Sequence, residues 1–277
     1  MVVFPNAKIN LGLNITARRP DGYHDICSLM VPTAWCDILE IVPAKGNDTT
    51  LSVTGRPVDC PPEKNLVMKA VRALNEVVEV PDVDIFLHKI IPDGAGLGGG
   101  SADAAFTLTT LDKLFRFGLT QHELADIAST IGSDCPFFIY NRPMMATGTG
   151  TTLTPFDCDG LSGLTIAIVK PDIHISTAEA YAGITPCIPE MPLSDILMLP
   201  PHEWRRCLIN DFEAPLASVH NAIGDIRDNM YAHGALYASL SGSGSAVYGL
   251  FVDDKMAERA AASQPGYASF VGKLTLF

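Results

Sequence analysis

Between positions 93 and 103 the chain reads Asp93-Gly-Ala-Gly-Leu-Gly-Gly-Gly-Ser-Ala-Asp103, with five glycines in the seven residues 94–100. A strand-like stretch, Asp84–Ile91, precedes it with Ile85, Leu87 and Lys89 on one face, and Pro92 closes that strand. The run Ala102–Phe117 follows, rich in Ala and Leu and free of Gly and Pro, and predicts a helix. Glycines admit positive φ and close backbone approach, so successive N–H groups can turn inward and line an anion cavity. The helix behind them adds roughly half a positive charge at its N-terminus. Pro92, Asp93, Gly94, Ala95, Gly96, Leu97, Gly98, Gly99, Gly100, Ser101 and Ala102 are therefore the candidate phosphate-binding segment. Ser101 brings a hydroxyl suited to phosphate or to a phosphate-bound Mg2+.

Two familiar phosphate loops fit less well. A Walker-type loop needs Lys and then Ser/Thr after its last glycine, and here no lysine stands before Ser101. Gly94, Gly96 and Gly99 satisfy the dinucleotide spacing, but no acidic residue closes a clear strand at the ribose-binding distance. A ligand-free tight turn is the plain alternative. The strand before and the helix after favour nucleotide phosphate.

The charge balance, 19 Lys plus Arg against 31 Asp plus Glu, gives a net charge of -12. With no basic run longer than a pair, a nucleic-acid partner is not expected. Backbone N–H groups can still bind a small anion in an acidic protein. Seven scattered cysteines with no CxxC pair disfavour a disulfide framework or a structural zinc site, and read as buried, reduced thiols. No apolar run approaches the roughly 20 residues of a membrane span, and the first residues lack a signal-peptide pattern. The expectation is a soluble, cytoplasmic protein with no membrane partner.

Along the chain, Lys8–Ile15 alternates in polarity and reads as a half-buried strand, followed by the turn Arg19–Gly22. Cys36–Val42 and Thr50–Thr54 read as strands, and Asn65–Glu79 as an amphipathic helix. Thr120 to Glu123 has capping-box form and opens a helix to about Ile131, broken by Gly132–Pro136. In the second half, Leu164–Val169 reads as a strand and the proline-rich Pro186–Pro201 as a surface loop. Asp211–His233 is helical with breaks expected at Pro215 and Gly224; a second glycine cluster and a strand fill Ser239–Val252, and Asp253–Ser263 is helical. Irregular alternation with several antiparallel hairpins makes the fold α+β rather than a doubly wound parallel sheet.

Three segments resemble the three motifs of the GHMP small-molecule kinases: Pro5-Asn-Ala-Lys-Ile-Asn-Leu11, Gly94–Ala105 and Leu240-Ser-Gly-Ser-Gly-Ser-Ala246. Arg19-Pro-Asp-Gly-Tyr-His24 and Gly132-Ser-Asp-Cys-Pro-Phe-Phe138 narrow the resemblance to one branch, with Cys135 and Ser133 where Val and Ala are commoner. The resemblance implies a two-domain fold, an N-terminal ATP-binding domain (1–157) and a C-terminal substrate domain (158–277), with the active site in the cleft between them. It implies transfer of the ATP γ-phosphate to the 2-hydroxyl of cytidine diphosphate methylerythritol, a small-molecule partner, in non-mevalonate isoprenoid precursor biosynthesis. Mg2+ is expected on the nucleotide phosphates with no all-protein metal site, and the assembly as monomer or homodimer.

By matched position, Lys8 and Asp134 are the expected catalytic pair. The chemistry agrees: a carboxylate takes the proton of the attacking alcohol, and an ammonium orients it and offsets charge on the transferred group. Without the resemblance, a solvated strand lysine and a helix N-cap are the plainer readings. Tyr23, His24 and Tyr181 are the expected cytidine readers, with Thr177 on the same helix face as Tyr181, and Asn10 and Lys89 are expected at the substrate or the nucleotide. Asn65 stands where the family contacts adenine, and equally where a helix needs an N-cap. Three readings compete: another GHMP kinase, for homoserine or mevalonate; a catalytically silent nucleotide-binding protein on the same fold; and a dinucleotide-dependent oxidoreductase.

Overall fold

Each of two compact units is built from separated pieces of chain in this computed structural model, which describes residues 1–58 and 60–274. The first holds Met1–Ala7, Trp35–Asp93 and Gly98–Asn141; the second holds Lys8–Ala34, Gly94–Leu97 and everything described from Arg142 onward. Helices and sheets are mixed in both, so the α+β reading holds.

In the first unit a four-stranded sheet runs in the order Val2–Val3, Ile38–Pro43, Val83–Lys89, Thr50–Gly55. Val83, Ile85, Leu87 and Lys89 are all buried, as the spacing predicts. Ile38–Pro43 runs antiparallel to that strand and Thr50–Gly55 parallel to it. The helices Leu66–Asn75 and Gly99–Phe115 pack on one another. The first is shorter than the expected Asn65–Glu79, and Asn65 is its N-cap, accepting from the Val67 N–H at 2.9 Å. The Thr120–Glu123 capping box is present on the helix Gln121–Ser129. The expected break falls at residues 130–134, and Pro136 sits in the first turn of a further helix, Cys135–Tyr140, where its missing N–H has no partner to lose.

In the second unit the long strand Asn6–Arg18, from Lys8 on, lies in a sheet with His24–Cys36, Met144–Gly148 and Thr152–Pro155. Its residues are buried without a break from Asn6 to Ile15, which corrects the half-buried reading. The alternation is one of polarity only, because Lys8, Asn10 and Asn14 are themselves buried. The expected strand Cys36–Val42 is divided at Asp37 between two strands. A second sheet, Tyr237–Leu240, Val247–Phe251, Thr165–Lys170 and Ala268–Lys273, is antiparallel throughout. It shares a core with the helices Asn221–Ala232 and Asp254–Ala262 through Val169, Leu240, Phe251, Ile226, Met230 and Ala257.

Two further expectations change in this unit. The helical stretch 211–233 breaks at His220 rather than at Pro215 or Gly224. Pro215 lies in the first turn of Glu213–Val219, where it is tolerated. The proline-rich stretch is not all surface loop, since Leu193–Leu197 is a short helix burying Leu193, Ile196 and Leu197. Of the seven thiols only Cys135 and Cys158 are buried; Cys187 is exposed and the rest are half-buried.

Candidate active site

The glycine segment adopts the backbone its composition demands, with φ of +59° at Gly94, +73° at Gly96 and +70° at Gly98. Gly98 is the left-handed N-cap of the helix Gly99–Phe115, which therefore starts three residues before Ala102. The Ala102 N–H donates to the Gly98 carbonyl at 2.9 Å and its methyl is fully buried. Ala102, expected with the phosphate segment, is thus the fourth residue of that helix. Gly99, Gly100 and Ser101 occupy the first turn, whose N–H groups have no carbonyl one turn earlier to bond and face out of the helix end. Ala95 and Leu97 anchor the loop at 2% and 1% exposure, while Asp93 is exposed.

Within the second unit the loop, the lysine strand and the later glycine turn are hydrogen-bonded together. The Lys8 N–H donates to the Leu97 carbonyl at 2.9 Å and the Ala246 N–H to the Ala95 carbonyl at 3.1 Å. Ser241 Oγ donates to the Gly96 carbonyl at 2.9 Å. A Cβ on Gly96 would lie 2.0 Å from the Ser241 carbonyl oxygen, so only glycine admits this contact. Lys8 is 3% exposed, and its ammonium donates to Asn10 Oδ1. Asn10 is held in turn: its amide nitrogen donates to Ser28 Oγ at 2.8 Å, and Ser28 donates to the Gly12 carbonyl at 2.6 Å. A lysine so placed is no solvated strand residue.

Asp134 is half-buried in the first unit and stands at the N-cap of Cys135–Tyr140, yet its carboxylate makes no capping hydrogen bond. The plain N-cap reading therefore does not account for it. Burial pushes the neighbouring Cys135 thiol up to about 11, and the Asp134 charge adds to the rise. Lys89, expected at the substrate or the nucleotide, is 5% exposed, and its ammonium donates to Asp37 and to Asp103 Oδ2, the latter at 2.7 Å. A cavity of about 350 Å³ in the same unit is lined by Asn65, Thr54, Gly55, Arg56, Pro57 and Pro62.

Tyr181 and Thr177 lie on the short helix Thr177–Ala182, capped by Ser176. The His24 ring stacks on Tyr181, and both line a cavity of about 440 Å³ with Arg18, Ala178, Ala182 and Thr185. Tyr23 is 67% exposed.

Sequence reasoning missed the residues that hold this machinery. Asn210, 2% exposed, donates to the Leu240 and Gly242 carbonyls at 2.8 and 2.9 Å and accepts from the Phe212 N–H. Asp211 accepts from the Ile15 N–H, Glu213 from the Leu240 N–H, and the Tyr248 hydroxyl donates to the Asn10 carbonyl. The polar residues Asn210, Asp211 and Glu213 at the start of a helix were the available signal.

Residues 65–142 match the family described as GHMP kinases N terminal domain, and 202–266 the family described as GHMP kinases C terminal. The 4-diphosphocytidyl-2-C-methyl-D-erythritol kinase of Parabacteroides distasonis is 51% identical over 251 residues, 91% of this chain and 92% of that protein. That of Porphyromonas gingivalis is 48% identical over 262 residues, 94% and 96% of the two chains. The chain belongs to the 4-diphosphocytidyl-2-C-methyl-D-erythritol kinase family. A crystal structure titled 4-(cytidine 5'-diphospho)-2C-methyl-D-erythritol kinase matches with a TM-score of 0.84 at 31% identity, covering 98% of each chain. The GHMP kinase resemblance of the three glycine and lysine motifs is thereby confirmed, and the chain is a small-molecule kinase.

Proposed function

We propose that the chain transfers the γ-phosphoryl group of ATP to the 2-hydroxyl of 4-(cytidine 5'-diphospho)-2-C-methyl-D-erythritol, releasing ADP and the 2-phosphate. The observation that carries this reading is the hydrogen-bonded join between the Lys8 strand and the glycine loop at Leu97, with the lysine buried and oriented by Asn10. In this reading the first-turn N–H groups of Gly99, Gly100 and Ser101 receive the phosphates, and Mg2+ arrives bound to them as part of the substrate.

Asp134 accepts the proton of the 2-hydroxyl as its oxygen attacks the γ-phosphorus. The bond from that phosphorus to the β–γ bridging oxygen breaks, and ADP carries the electron pair away. General-base help of this kind is worth roughly 10²–10⁴-fold. Lys8 offsets the charge on the transferred phosphoryl group, where preorganised electrostatics carries most of the catalysis.

The adenine is assigned to the cavity beside Asn65, whose Oδ1 already caps its helix, so contact with the base falls to its amide nitrogen. The cytidine is assigned to the cavity of His24 and Tyr181, where Arg18 offers donors to the diphosphate. Tyr23 and Thr177 complete that site in the proposal. In this proposal residues 1–157 form the ATP-binding domain and also contribute Arg18, Tyr23 and His24 to the cytidine site, while 158–277 form the C-terminal substrate domain, in a cytoplasmic monomer or homodimer. A coupled ADP-release assay with the cytidylyl substrate, homoserine and mevalonate tests the reading. Turnover of the cytidylyl compound alone is expected; equal or better turnover of another alcohol, or none at all, would overturn it.

A further inference from the structure

The strongest polar cluster outside the proposed chemistry is fully buried in the first unit. Lys89 ends the strand Val83–Lys89 and donates to Asp37 and to Asp103 Oδ2. Asp37, 0% exposed, spends its other oxygen on the chain that enters the glycine loop, accepting from the N–H groups of Ile90 and Ile91 at 2.5 and 2.8 Å. Asp103, 2% exposed, lies at the start of the helix that leaves the loop. Both ends of the glycine segment are therefore tied to one ammonium.

The contact is close at the point where the helix begins. A Cβ on Gly99 would lie 3.0 Å from Ile91 Cγ2 and 3.4 Å from Lys89 Nζ, so the first residue of the helix rests on the ammonium and on the incoming chain. Two carboxyl groups share one ammonium in the interior, and Asp103 Oδ1 is buried with no hydrogen-bond partner. An unpaired buried polar atom costs stability. A buried ion pair is moreover weak evidence for stability, since apolar residues of like volume often serve as well or better. Stability alone thus gives no reason for the cluster, while its connections all lead to the loop.

We propose that Asp37, Lys89 and Asp103 form a clamp that sets the spacing of the two ends of the ATP phosphate loop, with Asp103 as a positioning residue. This rests on the reading of residues 94–101 as that loop. In it Lys89 touches no ligand; it acts by holding the first turn of the helix, whose N–H groups meet the phosphates, at a fixed distance from Ile91.

The test compares ATP binding, measured by calorimetric titration, in the wild type, Asp103→Leu and Asp103→Asn. Leucine removes the tie but fills the space and leaves Lys89 neutralised by Asp37, so the variant is expected to fold with unchanged or higher thermal stability. Its Kd for ATP should rise about tenfold while its Kd for the cytidylyl substrate changes less than twofold. Asparagine keeps one acceptor for Lys89 and should restore ATP binding to within about threefold of wild type. Asp103→Leu with unchanged ATP affinity, or with equal loss for both ligands, would overturn the clamp. Should that variant not fold, Asp103→Ala is read in the same way, and unfolding of both would show a purely structural role and overturn it too. A wild type that binds no ATP would instead refute the kinase reading and leave no loop to position.

Discussion

The imidazole of His24 lies flat on the ring of Tyr181, with centroids 4.6 Å apart and planes 23° from parallel. Phe212 meets the same tyrosine edge-on, its centroid 4.9 Å away, so the ring is fixed from two directions. Stacking of a base on an aromatic ring is worth about 1–3 kcal/mol. Tyr181→Leu is therefore expected to raise KM for the cytidylyl substrate by about tenfold, since 1.4 kcal/mol is one decade. KM for ATP should stay within twofold. Steady-state kinetics with each substrate varied in turn checks the split.

Asp134 at its unused N-cap position predicts a different signature. Asp134→Asn removes the proposed base and leaves the geometry, so kcat should fall by about 10²–10⁴-fold. Calorimetric affinity for ATP should change little. A variant that retains near-native kcat would exclude Asp134 as the base.

The Asp103 carboxyl titrates far above its usual range. Burial, opposed by Lys89 and reinforced by Asp37, raises it from 3.8 to about 7. Between those values the native state holds a proton that the unfolded chain lacks, so this group's contribution to stability is complete below pH 4 and is lost as pH rises towards 7. Asp103→Asn cannot titrate. Urea unfolding of both proteins should show the wild type losing stability relative to the variant from about pH 4 to 7, with no further loss from this group above it. A constant difference across that window would contradict the assignment.

Gly96 touches the later glycine turn too closely for any side chain. At φ +73°, with the Ser241 carbonyl oxygen 2.0 Å from where a Cβ would stand, Gly96→Ala forces two segments of chain apart. The expected result is a loss of more than about 1 kcal/mol in stability, with a larger proportional loss of ATP affinity. Thermal unfolding and ATP titration on the same preparation measure both.

Much of the local structure around the candidate site was readable in the sequence. The glycine loop between a strand and a helix, the buried face of Val83–Lys89 and the capping box at Thr120 are local patterns, and each is present. They were legible because backbone conformation, periodicity and capping depend on neighbours a few residues away. The motif order likewise pointed to a GHMP kinase, and the comparisons agree.

The burial of Lys8 was not legible, nor was its dependence on Asn10 and Ser28. Nothing near Lys89 in sequence shows that Asp37, 52 residues away, accepts from its ammonium. Asn210 and Tyr248 reach their partners across 30 and 238 positions. Which polar groups meet inside a protein depends on the order in which strands are laid side by side, and short-range pattern carries no record of that order. Local composition decided what the backbone can do at each point; the packing of distant segments decided which charges are buried together, and so what each one is available to do.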